Sequence, residues 1–79
     1  MERNVILNKL QDIIRSAVDD ESVLISDGTV ASDVNGWDSL SQMLIVGELQ
    51  NVFNVKFTSS EISGLANVGE LVDAIIAKL

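Results

Sequence analysis

Seventy-nine residues, nearly half of them apolar, are expected to form one domain, residues 1–79, around one small core. With no cysteine and no histidine, the chain has no disulfide framework, no thiolate metal site and no imidazole to activate a serine, which argues against a self-contained hydrolase. A net charge of −7, with only the scattered bases Arg3, Lys9, Arg15, Lys56 and Lys78, disfavours nucleic acid and anionic membranes as partners and favours basic protein surfaces.

The N-terminal Met1-Glu2-Arg3-Asn4 leads into an amphipathic stretch, not a signal-peptide apolar block. No apolar run approaches membrane-spanning length, so a cytoplasmic location is expected, as is a monomer. Ile6, Leu10, Ile13, Ile14 and Ala17 recur at helical steps, with Leu7 widening the stripe, which predicts a first helix from about Arg3 to Val18.

Asp19 to Trp37 is a long connection. Its carboxylates have no bases among them, yet Val23, Leu24, Ile25, Val30, Val34 and Trp37 are apolar and are expected to pin it onto the helices. A short helical turn fits near Thr29 to Val34. The acidic residues read as solvated; they are also hard oxygen ligands for a weak cation site, though without EF-hand spacing.

The second helix is expected from Ser39 or Leu40 to Phe53. Its apolar face is read through Leu40, Met43, Leu44, Val46, Leu49, Val52 and Phe53, extended by Ile45, with part of it open as a binding face. Gly47 lies mid-helix, where it costs up to ~1 kcal/mol relative to alanine; close packing and room for a ligand both fit. Two signals compete at the helix start. Ser39 with Gln42 fits a capping box, and Asp38 is itself a good N-cap. Either way Ser39 falls beside the first free N–H groups and the positive dipole end, where a phosphate on its hydroxyl is well placed.

Val55 and Phe57 sit in a connector too short for a strand. Thr58-Ser59-Ser60-Glu61 fits a capping box opening a short third helix to about Ser63, stopped by Gly64. Asn67 is the expected cap of a last helix from Val68 to Lys78, with Val68, Leu71, Val72, Ile75, Ile76 and Leu79 as its stripe and Lys78 complementing its dipole.

These signals align with a known family. The chain resembles the acyl carrier proteins, and more broadly the phosphopantetheine-dependent carriers, through Asp38-Ser39-Leu40 preceded by Gly36 and Trp37. Phe53, Phe57, Ile62, Leu65 and Val68 follow in register, so the likeness covers essentially the whole chain, least securely in the long loop. The fold it implies is an all-α four-helix bundle of three longer helices and one short one.

The resemblance implies that Ser39 carries 4'-phosphopantetheine, moved from coenzyme A by a phosphopantetheinyl transferase. The arm's thiol would hold the cargo as a thioester, which fits a chain without cysteine or histidine. No catalytic residue is implied. Asp38 would orient the serine and the transferase's metal, Leu40 would anchor the helix start to the core, and Met43, Val46, Phe57, Ile62 and Leu65 would lie near the arm, each also readable as core. Acyl-loading and acyl-processing enzymes with basic or apolar docking surfaces are the implied partners.

One departure stands out. Ser41, Leu44, Gln50 and Asn51 occupy positions often acidic in carriers of bulk fatty-acid synthesis, leaving Glu48 as the main carboxylate of the second helix. A carrier specialised for a lipid or polyketide-type pathway is therefore expected. An aminoacyl or peptidyl carrier, including a D-alanyl carrier, and an unmodified helical adaptor are the alternatives.

Overall fold

Helical spacing of apolar residues, uninterrupted by proline, gives α1 at Arg3–Val18 in the computed structural model, which describes residues Met1–Leu79. Then come one 3-10 turn at Ala31–Asp33, α2 at Ser39–Phe53, α3 at Ser59–Ser63 and α4 at Val68–Lys78. The chain is all-helical, with four α-helices and no strand. α1 packs against both α2 and α4.

The core follows the periodicity for α1, which buries Ile6, Leu10, Ile13 and Ile14. α4 buries Val68, Leu71, Val72 and Ile75, but Ile76 and Leu79, expected in its stripe, are 40% and 55% exposed. Ile76 lies about 100° around the helix from fully buried Ile75, and Leu79 follows the last helical residue.

α2 departs most from expectation. Its buried residues are Ser41, Ile45, Leu49 and Phe53, one every four residues. Leu40, Met43 and Leu44 are 69%, 72% and 56% exposed, and Val52 is also exposed. The helix is apolar nearly all round, so composition alone does not fix which face turns inward. Leu40 therefore does not anchor the helix start to the core: it lies about 100° around the helix from buried Ser41.

The long loop is fastened from several sides. Val23 and Val34 are buried and Ile25 and Trp37 pack against the core, while Leu24, expected to join them, is 77% exposed. Arg15 Nε donates to Val23 O at 2.7 Å, and Gln11 Oε1 accepts from Ile25 N at 2.9 Å. Farther along, Val68 N and Gly69 N donate to Thr29 O and Asp27 O, each at 2.8 Å. Arg3 bridges Asp27, Asp73 and Gly69 O. Of the loop carboxylates, Asp20, Asp27 and Asp33 are engaged in turn bonds and pairing while Asp19 and Glu21 are exposed, and no group of three acidic, histidine or cysteine side chains converges to hold a metal ion.

The caps of the short elements match their signals. Thr58 Oγ1 accepts from Glu61 N at 3.2 Å, and Glu61 Oε1 accepts from Thr58 N at 2.8 Å. Asn67 Oδ1 accepts from Glu70 N at 2.9 Å, whereas Glu70 reaches back past the cap to Ala66 N. Lys78 does more than meet the helix dipole: its Nζ pairs with Glu61 at 2.8 Å and lies 5.0 Å from the Phe57 ring centre, tying α4 to α3.

Candidate functional site

Gly36, Trp37, Asp38 and Ser39 make the turn that launches α2. Gly36 adopts φ +89°, a conformation that glycine allows freely, and its α-carbon faces Val18. Trp37 N then donates to Val34 O at 3.2 Å, closing the turn. The direction of the chain into α2 is therefore set against the end of α1.

Asp38 is the N-cap. Its Oδ1 accepts from Leu40 N and Ser41 N, both at 3.0 Å. Ser41 completes the box in reverse: its Oγ accepts from Asp38 N at 2.8 Å and donates to Gly36 O at 2.8 Å. The Ser41 N–H, followed by the Ser41 hydroxyl and the Leu40 N–H, holds the Asp38 carboxyl below the usual carboxylate range. Asp38 is thus anionic at neutral pH.

Two expectations are corrected here. The capping box is Asp38 with Ser41, not Ser39 with Gln42, because the Asp38 backbone is extended and the helix has already begun at Ser39. The Gln42 side chain instead accepts from Trp37 Nε1 at 2.6 Å. Nor are the N–H groups after Ser39 free for a phosphate, since Asp38 takes those of Leu40 and Ser41. The Asp38 charge also offsets the positive dipole end. The helix start therefore positions Ser39 without offering a strong anion pocket.

Ser39 itself is exposed at the first position of α2, outside the capping bonds. One turn further along the helix, Gln42 and Met43 open a groove of about 380 Å³ between α2 and α3. Val46, Phe57 and Ile62 add apolar walls, and Thr58 and Ser59 a polar edge. A smaller hollow of about 190 Å³ lies between the long loop and the start of α4, with Val30, Trp37, Leu65, Val68 and Leu71 among its walls. Of the residues expected near the arm, Met43, Val46, Phe57 and Ile62 meet in the groove, whereas Leu65 lines the hollow.

An exposed serine hydroxyl at a rigid helix start, with an apolar groove one turn below, fits a long flexible group attached by phosphate. The family model described as "Phosphopantetheine attachment site" matches residues 5–75. The chain is also similar to a solved structure, a holo acyl carrier protein from Geobacter metallireducens determined by solution NMR. The two share 37% identity and a TM-score of 0.84, covering 92% of this chain and 84% of that one. A search of curated proteins finds no match.

The chain belongs to the phosphopantetheine-dependent carrier family. It is an acyl carrier protein: its prosthetic group is 4'-phosphopantetheine, and it is not itself a catalyst. Phosphopantetheinyl transferase and acyl-processing enzymes are the partners that membership implies. No helix is long and apolar enough to cross a membrane.

Proposed function

We propose that Ser39 is the attachment site and that the chain delivers acyl groups to the enzymes of a specialised lipid or polyketide-type pathway. The observation that carries the attachment is the position of Ser39: exposed, first in α2, and outside the Asp38–Ser41 box that fixes the helix start. A partner enzyme has open access to such a hydroxyl while the backbone beneath it is held.

When bound, phosphopantetheine supplies a thiol that carries acyl groups as thioesters. The chain's own residues present and shelter it. Asp38 stays charged, and both capping bonds fall on its Oδ1, which leaves Oδ2 for the transferase's metal. Leu40, exposed beside Ser39, offers the arm an apolar contact. Met43, Val46 and Phe57 line the groove that would receive the arm.

Specialisation is supported by the outer face of α2. Beyond the capping residue Asp38, Glu48 is its one carboxylate, while Leu40, Met43 and Leu44 are each more than half exposed. Charge steering toward this helix is weak, and apolar complementarity is available in its place. Partners with apolar docking surfaces suit it better than strongly basic ones.

The attachment is tested by intact mass after incubation with coenzyme A, magnesium and a broad-specificity transferase. The expected result is one phosphopantetheine added to the protein and none added to Ser39→Ala, with both proteins folded. Addition to Ser39→Ala would overturn the site. Specialisation is tested separately by supplying the loaded carrier to a housekeeping fatty-acid synthase; slow elongation is expected, and efficient turnover would refute it.

A further inference from the structure

The groove and the hollow share a wall. Gln42 and Ile62 line both. Gln42 is fixed in that wall by the Trp37 indole, whose Nε1 donates to Gln42 Oε1 at 2.6 Å. Trp37 in turn lines the hollow and packs against the core. A half-buried polar contact therefore closes an otherwise largely apolar partition, three residues along α2 from Ser39.

We propose that the Trp37–Gln42 hydrogen bond is a latch, and that an apolar acyl chain passes from the groove into the hollow only by releasing it. The inference rests on the attachment of the arm at Ser39. Its physical basis is the mismatch between the partition and its cargo. An alkyl chain offers no acceptor to the indole N–H and no donor to the amide oxygen, so neither group keeps a partner once a chain lies between them. The Gln42 side chain can instead turn toward water on the groove side, leaving the passage apolar.

Ile62, the other shared residue, is apolar and half-buried, and a chain passing it breaks no side-chain hydrogen bond. It belongs to α3, which is fixed by the Thr58–Glu61 box and by Lys78 on Glu61 and Phe57. The Trp37–Gln42 bond is thus the one polar contact of the shared wall that a chain must displace. A short acyl group ends in the groove and leaves the latch closed; a longer apolar chain gains the walls formed by Leu65 and Leu71 when it opens. The pair then selects cargo by length and polarity.

Trp37 is the only tryptophan, so its indole N–H gives one unmistakable NMR signal. The test loads acetyl or octanoyl arms from the corresponding coenzyme A thioesters with the transferase and verifies full loading by intact mass. With acetyl, the indole signal and its exchange with water should remain as in the unloaded protein. With octanoyl, the signal should shift and exchange should rise about tenfold, as expected for loss of one hydrogen bond. The Leu71 methyl signals should move with it.

Gln42→Leu should show the faster indole exchange before any loading, whereas Gln42→Glu, which keeps an acceptor, should restore wild-type behaviour. Leu71 shifts with an unmoved indole would overturn the latch, because the chain would then enter by another route. Octanoyl loading that moves neither signal would overturn it as well. Failure of the mass to increase would instead refute attachment at Ser39, and the latch with it.

Discussion

Ser41 shows how much of the site depends on one residue that carries no cofactor. Its hydroxyl joins Asp38 N to Gly36 O, and its own N–H is the largest influence holding the Asp38 carboxyl in the charged form. Ser41→Ala should cost about 1 kcal/mol, the usual value of a lost cap or hydrogen bond. Denaturant midpoints would show that loss. Because the change frees the start of α2, modification of Ser39 should also slow; an unchanged rate would show that Asp38 alone suffices to present the serine. Ser41 was legible only as a position lacking a carboxylate. The sequence offers both Ser39 with Gln42 and Asp38 as caps, and the return bond from Ser41 that decides between them is visible only in the structure.

At the scale of the helices, the glycines Gly47 and Gly69 separate two roles that the sequence leaves alike. A Cβ at Gly47 would meet nothing within 4 Å, so the residue serves neither close helix packing nor a tight pocket. Gly47→Ala should therefore stabilise the protein by up to ~1 kcal/mol through helix propensity. At Gly69, by contrast, a Cβ would come 2.9 Å from Asp27 O, where the loop meets the first turn of α4. Gly69→Ala should destabilise by roughly 1–3 kcal/mol, the range for overpacking. Thermal melts of the two variants should shift in opposite directions. The loop contact behind Gly69 joins residues more than forty apart, and no local pattern announces it.

The same contrast explains what was readable in the helices. α1 has a polar face opposite its apolar stripe, so its bounds and buried residues follow from spacing. α2 has apolar residues on nearly every side. Its start was legible from Asp38, but its orientation was not, and Leu40, Met43 and Leu44 proved to face outward. Orientation there is decided by the partners of Ile45, Leu49 and Phe53 in the core, which periodicity cannot rank. The serine at the head of α2 was readable from the local motif, whereas the groove and hollow beside it depend on α3, α4 and the loop arriving together.

Across the whole molecule, twelve acidic and five basic residues share a body 28 × 25 × 22 Å in extent. At about 0.01 M salt the screening length of ~30 Å exceeds those dimensions, so nearly every charge feels every other. At ~0.15 M it falls to about 8 Å, which weakens general repulsion more than the close Arg3–Asp27 and Lys78–Glu61 pairs. Added salt should therefore raise the melting temperature at pH 7; a fall would show that those pairs outweigh the repulsion.

Acid acts through particular carboxylates. The Asp20, Asp38 and Glu61 carboxyls are all held below their ordinary range, chiefly by the Ser22 hydroxyl, the Ser41 N–H and Lys78 respectively. A depressed folded pKa means that the unfolded chain binds protons first as pH falls. Their contribution is thus fully present above the unfolded carboxylate range of about 4 and is lost as pH drops through the lower folded values. In denaturant titrations at high salt, where repulsion is screened, stability should hold from pH 7 to about 5 and fall below about 4. Asp38→Asn should flatten part of that fall, because the amide still caps the helix but no longer titrates; an identical acid profile would place the lost protons elsewhere.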